Sequence, residues 1–491
     1  MANSTAKALY HTGQIKELEQ KTAGFGLNED ILMDRAGKAA FLELRNQWPE
    51  ANQIAVICGK GNNAGDGYVL AKYAHLQGMK VKILALCPPE KLSGAALNAA
   101  KSCIELNIAI ANFSEKELQD CDVIVDAILG TGVKGNVDET YRKVIDAINV
   151  SKVPVLSLDL PSGLDANTGK VWGAAVCAAV TITFIGLKPG LFTGYGPDYV
   201  GSVFCDDLDL PKQLKDGVKN FAELLSLLNL SAHLPRRKKT ANKGNFGHVL
   251  IVGGDYGMGG AVDMAAEAAL RSGAGLVSVA TRKEHIAAIN ARCPEVMCHE
   301  IDAAEKLDSL LVRATVVIAG PGLGKSDWSR ELLAKVLSSE TPKLLDADAL
   351  NLLTEKIDNA VLTPHPKEAA RMLGITVEKV QDDRFTAVRS LQEKYGGVFV
   401  LKGAGTLVFD VSEKNMGVCP FGNPGMASAG MGDVLSGVIG GLLAQGMPLA
   451  KAASFGVCLH AFAGDLAVLA SGERGLLATD LLPHIRTLIN Q

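Results

Sequence analysis

Two glycine-rich boxes could each present backbone N–H groups to an anion. The first is Gly-Lys-Gly-Asn-Asn-Ala-Gly-Asp-Gly, from Gly59 to Gly67. The second is Gly-Asn-Pro-Gly-Met-Ala-Ser-Ala-Gly-Met-Gly-Asp-Val-Leu-Ser-Gly, from Gly422 to Gly437. Each adjoins strand-like sequence and runs into helix-like sequence, so a loop and a helix N-terminus can converge on a phosphate. Around the first box stand Asn62, Asn63 and Asp66. Two carboxylates end apolar strand-like runs, Asp126 after Val-Ile-Val and Asp159 after Val-Leu-Ser-Leu, and Ser162 follows the second. A carboxylate at the end of a buried strand needs donors or a cation. One alone is often a cap or turn former; two around one crevice suit an acid/base pair or a cation site. In the second box, Gly430-Met-Gly432-Asp433 opens an apolar helix over 434–444. Its dipole and N–H groups suit a transferring phosphoryl group, and Asp433 is placed to take a proton from an attacking hydroxyl.

Two other readings of glycine-rich sequence fail. Gly59 to Ala64 fits G-x-G-x-x-A, but a nicotinamide-cofactor Rossmann site needs an acid after the second strand. Here that strand ends Leu86-Cys87-Pro88, and the corresponding strand of the second half ends Ala280-Thr281. Ala319 to Ser326, Ala-Gly-Pro-Gly-Leu-Gly-Lys-Ser, resembles a P-loop, with 344–346 as its acidic strand. Pro321 removes an N–H from a loop whose use is to donate N–H groups, and the first position is Ala.

The elements that must hold these residues alternate. Strands are expected at 54–58, 81–86, 123–125, 153–158 and 180–185, with a helix at 66–77 after the first box and helices within 13–47. A second series begins at 248–253 and continues at 276–280, 316–319, 343–346, 398–401 and 406–409, ending in very helical sequence. Alternation of strands with helices implies parallel, doubly wound sheets, whose ligands bind beyond the carboxyl ends of the strands. The fold class is α/β with two αβα domains: residues 1–212, a linker at 213–229 with a helix near 220–229, and 230–491. No internal repeat relates the halves.

With 491 residues the chain is too long for one core. A net charge of −4 argues against a nucleic-acid binder, and Arg236-Arg237-Lys238-Lys239 reads as a solvated linker. The ten cysteines form no C-x-x-C pair; those in apolar runs (Cys58, Cys177, Cys205) read as buried thiols in a reducing compartment. No histidine pattern suggests zinc. The N-terminus lacks a signal-peptide core and no stretch reads as a membrane span, Ala261 to Leu276 coming closest. The expectation is a cytoplasmic enzyme without nucleic-acid or membrane partners.

Asn-Asn-Ala-Gly-Asp-Gly, Val-Asp-Ala-Ile-Leu-Gly-Thr-Gly and Asp-Leu-Pro-Ser-Gly-Leu-Asp-Ala-Asn-Thr-Gly resemble the NAD(P)H-hydrate epimerase family over about residues 10–210. The resemblance implies a Rossmann-like fold. It implies substrate binding by Asn62, Asn63, Ala64, Gly65 and Asp66, by Gly130, Thr131, Gly132, Val133, Lys134, Gly135 and Asn136, and by Asp159. It implies potassium held by Asn63, Asp126 and Ser162. Ala64 stands where the family usually has Gly. The substrate is a nicotinamide ring hydrated at carbon 6, whose hydroxyl leaves and returns from either face; Asp126 is the carboxylate expected to move the proton.

From about residue 230 the chain resembles the ribokinase-like superfamily, and within it the ADP-dependent NAD(P)H-hydrate dehydratases. The motifs are Gly-Met-Gly-Gly-Ala261, Gly-Pro-Gly322-Leu-Gly, Leu-Asp-Ala-Asp-Ala-Leu-Asn351, Thr-Pro-His365-Pro-Lys-Glu368 and Lys402-Gly-Ala-Gly-Thr406. The resemblance implies hydrated-cofactor contacts at Ala261, Gly322, His365 and Asp433. It implies nucleotide contacts at Lys402, Gly403, Ala404, Gly405, Thr406 and Gly432, with magnesium. Ala429 departs slightly from the family box. The expected activities are epimerisation of the R and S forms of hydrated NADH and NADPH, and dehydration of the S form with conversion of ADP to AMP and phosphate. A homo-oligomer is expected. A vitamin or sugar kinase with an accessory domain, and a non-catalytic nucleotide-sensing N-terminal half, are the alternatives; the first would yield a stable phosphate ester, and Asn63, Asp126, Asp159 and Ser162 together argue against the second.

Overall fold

The computed structural model describes residues 7–133, 135–234, 236–411 and 415–491. The chain divides into two compact units, Ala8–Ala222 and Glu223–Gln491, the second of which also takes in Lys7. After the short β1 (Lys7–Leu9), the first unit has seven strands: β2 (Gln53–Cys58), β3 (Lys80–Ala85), β4 (Ala109–Asn112), β5 (Val123–Ala127), β6 (Val155–Leu158), β7 (Val180–Phe184) and β8 (Ser202–Asp206). They form one sheet in the order β4-β3-β2-β5-β6-β7-β8, with every neighbouring pair parallel. The runs Ile-Ala-Val-Ile-Cys and Val-Ile-Val-Asp-Ala are buried throughout, as strands covered on both faces must be. The chain winds outward from β2 to β4, then returns to the other side of β2 at β5. Between those two strands lies the point where a doubly wound sheet opens a ligand crevice at its carboxyl edge. The register sets Ile57 beside Asp126 and Cys58 beside Ala127, so the first box and the first strand-end carboxylate emerge together.

The second unit carries β9 (Ala222–Leu224), β10 (His248–Val252), β11 (Leu276–Thr281), β12 (Met297–Glu300), β13 (Val316–Ala319), β14 (Lys343–Leu345), β15 (Ala360–Leu362), β16 (Val398–Leu401), β17 (Leu407–Asp410) and β18 (Asn415–Val418). Their order is β9-β18-β17-β16-β15-β14-β13-β10-β11-β12. The pairs from β16 to β12 are parallel, whereas β17 pairs antiparallel with both β16 and β18. The Met431–Ala444 helix packs directly on the Gly259–Arg271 helix; a Cβ at Gly437 would collide with the Ala265 carbonyl oxygen.

Several sequence expectations change. The segment near 220–229 is not one helix: it holds β9 and the start of the Leu227–Ser231 helix. The short strands β4, β8, β12, β15 and β18 escaped the pattern because three to five residues carry too little periodicity. Cys58 is buried, but Cys177 and Cys205 are exposed: Cys205 lies on β8, which has a strand neighbour on one side only, and Cys177 lies in the loop before β7. The long apolar helix is Leu449–Ser471, not 261–276. It has the length and composition to cross a membrane, yet 67% of its most apolar window is buried within the protein, as in a core helix.

Candidate functional sites

In the first unit the helix expected from Asp66 already begins at Asn62 (Asn62–Leu76), so the two asparagines form its first turn rather than a free loop. Gly61 precedes it in extended conformation and no side chain caps it. Its leading N–H groups are therefore available to an anion. Gly59 permits this turn: a Cβ there would strike the Ile128 carbonyl oxygen, and its N–H donates to Ala127 O at 3.0 Å. Ala64 points its methyl into the core with no exposed surface, and Gly65 lies against Met33.

Asp126 has no exposed surface, and both its oxygens are occupied. Oδ1 accepts from Ser162 Oγ at 2.5 Å and Ile128 N at 3.3 Å; Oδ2 accepts from Ser157 Oγ at 2.8 Å and Ser162 N at 2.9 Å. Burial still pushes its carboxyl above the usual carboxylate range despite those donors. The expectation that Asp126 itself exchanges the proton with substrate does not fit this sealed position. A cation suits it better. Asn63, also buried, has neither its amide oxygen nor its amide nitrogen hydrogen-bonded. An orphaned amide oxygen, a desolvated carboxylate and a serine hydroxyl are the hard oxygen donors an alkali cation takes. Gly130 presses on Asn63, where a Cβ would come to 3.3 Å from the Asn63 Cβ, and Leu129 N donates to Ser162 Oγ at 2.9 Å. The loop Gly130, Thr131, Gly132, Val133, Gly135 and Asn136 is thus tied at its start to Asn63 and Ser162; Lys134 lies outside the described residues.

Asp159 sits in left-handed backbone conformation at φ 63°, which turns its side chain back toward β7. Its Oδ1 accepts from Lys188 Nζ at 2.5 Å and Thr183 Oγ1 at 3.1 Å. Lys188, 1% exposed, also donates to Thr183 Oγ1 and Phe184 O, both at 2.8 Å. Asp66 is pushed well up, first by burial and then by the charges of Asp159 and Glu19, with Lys188 opposing.

In the second unit, Ala261 and Gly322 meet. Gly322 has φ 55°, and a Cβ on it would lie 3.2 Å from the Ala261 Cβ. Asp255 N donates to Gly322 O at 2.7 Å and Gly254 N to Pro321 O at 3.1 Å, locking the two loops. Lys325 is exposed, and Ser326 caps the Asp327–Ser338 helix, so this segment serves as a loop-and-cap.

His365 caps the Pro366–Leu373 helix; its Nδ1 accepts from the N–H groups of Lys367 (3.1 Å) and Glu368 (3.2 Å). The proton then belongs on Nε2, 3.4 Å from Glu368 Oε1. Burial, helped by the Lys402 charge, lowers its pKa, keeping the ring neutral. Lys402 N donates to Pro364 O, bringing the His365 loop beside the 402–406 loop. In that loop Gly403 (φ 133°) and Gly405 (φ 60°) carry the turn, and Thr406 Oγ1 donates to Gly403 O at 2.8 Å. Arg384, 1% exposed, supports it from below through Leu401 O (3.0 Å) and Lys402 O (3.2 Å).

The Met431–Ala444 helix begins after Gly430 (φ 88°) with no side-chain cap, leaving its first N–H groups for an anion. Asp433 is pushed up to about 7, first by burial and then by Asp346, against the pull of Lys402. The rest of the box is set by Asp465, which accepts from Gly422 N at 3.0 Å and Asn423 Nδ2 at 2.8 Å.

Lys188, Ser157, Ser436, Arg384 and Asp465 were not singled out from sequence, and Asp346 stood there only within a motif and as a P-loop-like acidic strand. Asp346 carried a signal: it follows an apolar strand as Asp126 does. The others meet these partners across 17 to 90 residues of separation, which no local pattern reveals.

A family model of NAD(P)H-hydrate dehydratases matches residues 249–487, and one of the YjeF-related protein N-terminus matches residues 29–190. The chain is 52% identical over 485 residues to the bifunctional NAD(P)H-hydrate repair enzyme of Coxiella burnetii, covering 98% of this chain and 99% of that one. It is 42% identical over 491 residues to the Escherichia coli enzyme of the same description, covering 99% and 95%. A solved ribokinase-like superfamily protein of Enterococcus faecalis superposes with TM-score 0.50 at 32% identity, covering 54% of this chain and 95% of that one.

Proposed function

The chain belongs to the bifunctional NAD(P)H-hydrate repair enzymes, with an epimerase and a dehydratase activity, and from that premise we propose how its residues divide the work. In the first unit, Asn63, Asp126 and Ser162 hold potassium, and the observation that carries this is the buried Asn63 amide without a partner. Bound there, a cation would supply the positive charge that offsets the desolvation of Asp126. It would also steady the loop from Gly130, which with Asn62 and Asp159 binds the substrate, while the buried Ala64 and Gly65 back that turn from the core. Asp66, whose affinity for a proton is raised first by burial and then by the charges of Asp159 and Glu19, protonates the departing C6 hydroxyl. The C6–O bond breaks as the N1 lone pair forms the C=N bond. Water then adds from the opposite face, and its proton returns to Asp66.

In the second unit, Ala261, Gly322, His365 and Asp433 seat the S hydrate, while Gly432 and the loop Lys402 to Thr406 (Gly403, Ala404 and Gly405 between) seat ADP. Asp433 takes the proton from the C6 hydroxyl as its oxygen bonds to the terminal phosphorus, and AMP departs with the bridging oxygen. The C6–O bond then breaks with its electron pair leaving on phosphate, the C5 proton passes to that phosphate or to water, and the C5=C6 double bond returns. Among the described residues no group of three or more His, Cys, Asp or Glu is gathered for a metal. Magnesium bound together with the nucleotide would neutralise the charge of its phosphates. Ten free cysteines fit a cytoplasmic setting, and family resemblance supports a homo-oligomer. The test is Asp433→Ala in the full chain: dehydration should vanish while epimer interconversion persists. Dehydration near the unmodified rate would overturn the assignment.

A further inference from the structure

Asp346 lies in one of the motifs that carry the family resemblance, yet neither that resemblance nor the proposed mechanism assigns it a role. It lies just after β14, its residue is 1% exposed, and it meets three groups at the N-terminus of the Met431–Ala444 helix. Lys402 Nζ donates to its Oδ1 at 2.7 Å, and Ser436 Oγ, one turn into that helix, donates to its Oδ2 at 2.9 Å. Gly432 closes the cluster: a Cβ there would lie 3.3 Å from Asp346 Oδ2 and 3.4 Å from Lys402 Nζ. The ion pair thus occupies the floor beneath the helix N-terminus, beside Asp433.

We propose that Asp346 is the positioning residue of the dehydratase: anchored by Ser436, it fixes the Lys402 ammonium against Gly432, where the transferred phosphoryl group arrives. Three features carry this. A buried ion pair is a poor stability device, because desolvation of both charges offsets their attraction, so a pair kept at a reaction centre is better explained by what it places there. Lys402 on its own is a flexible four-carbon stem; one short bond to a carboxylate anchored by Ser436 removes that freedom before the nucleotide binds. The groups facing Asp433 are Asp346 and Lys402, with Asp346 raising and Lys402 lowering its affinity for a proton. Glu368 and Asp433 also act on Lys402. Removing the Asp346 charge therefore leaves Asp433 facing Lys402 without its opposing neighbour, which makes it a weaker base.

This inference rests on Asp433 as the base, and the experiment separates the two. Full-length Asp346→Asn, Ser436→Ala and Asp433→Asn are assayed with S-hydrated NADH, ADP and magnesium across pH 5.5 to 9, with epimerase activity and thermal unfolding as controls for folding. Asp346→Asn should lower kcat about tenfold or more and move the acid limb of the kcat profile down by about half a pH unit or more, with the KM for hydrate near its original value. Ser436→Ala, which keeps the charge but loosens the anchor, should lower kcat without moving the limb. An Asp346→Asn enzyme with an unmoved limb and unchanged kcat overturns the inference while inactive Asp433→Asn upholds the base; active Asp433→Asn overturns both. If Asp346→Asn does not fold, an unchanged kcat in Ser436→Ala overturns the positioning role.

Discussion

Ser162 donates to both oxygens of Asp126, through its hydroxyl to Oδ1 at 2.5 Å and through its backbone N–H to Oδ2 at 2.9 Å. One residue thereby ties the end of β5 to the loop that follows β6, across the opening of the sheet. The same hydroxyl accepts from Leu129 N, so the loop from Gly130 is fastened to the carboxylate it surrounds. This arrangement holds the carboxylate in place, and with no exposed surface Asp126 is sealed from acid/base traffic with a substrate.

A cation dependence follows. Epimer interconversion should fall about tenfold or more when potassium is replaced by a bulky organic cation at equal ionic strength, while dehydration of the S form is unaffected. Epimerisation rates in the two salts, followed by chromatographic separation of the epimers, check this.

The dehydratase should carry the titration of Asp433. Its carboxyl, raised to about 7, must be ionised to accept a proton, so kcat/KM for dehydration should climb as pH rises through about 7 and level off above. A rate flat from pH 6 to 8 would remove Asp433 from the base role.

Lys188→Met should cripple the first unit. Asp159, whose side chain is 16% exposed, would keep its charge and lose the ammonium that meets it. Removing one partner of a buried pair costs about 3 kcal/mol, somewhat less here because Asp159 reaches solvent. The expected result is a lower unfolding midpoint and lost epimerisation, with dehydration retained below that midpoint.

His365→Asn separates capping from substrate contact. Asparagine caps a helix as well as any residue, so stability should hold within a few tenths of a kcal/mol. The KM for hydrate should rise about tenfold while the KM for ADP stays put. His365→Ala should in addition lose about 1 kcal/mol of stability with the cap.

What could be read from sequence followed the reach of each pattern. Asp126 and Asp159 were legible because a carboxylate ending an apolar run contradicts its surroundings. Asp433 was legible because small residues before an apolar helix are unusual. Of the partners of Asp126, Ser162 was legible as part of the same motif, whereas Ser157, 31 residues away inside β6, was not. The helix start at Asn62 was missed because asparagine and glycine favour turns when judged alone. Lys188 reads as an ordinary surface lysine until β7 folds it beneath Asp159. In the second unit the apolar helix at 449–471 hid Asp465, whose partners lie 42 and 43 residues earlier.

The most direct test of the division of labour is one absorbance trace. An equilibrium mixture of both epimers of hydrated NADH is incubated with the protein, ADP, magnesium and potassium, and recovery of reduced-nicotinamide absorbance is followed. The unmodified chain should restore all of it in one rapid course. Asp126→Asn should stop after the S fraction and continue only at the spontaneous rate of epimerisation. Rapid full recovery by Asp126→Asn, or arrest of the unmodified chain at the S fraction, would contradict the account.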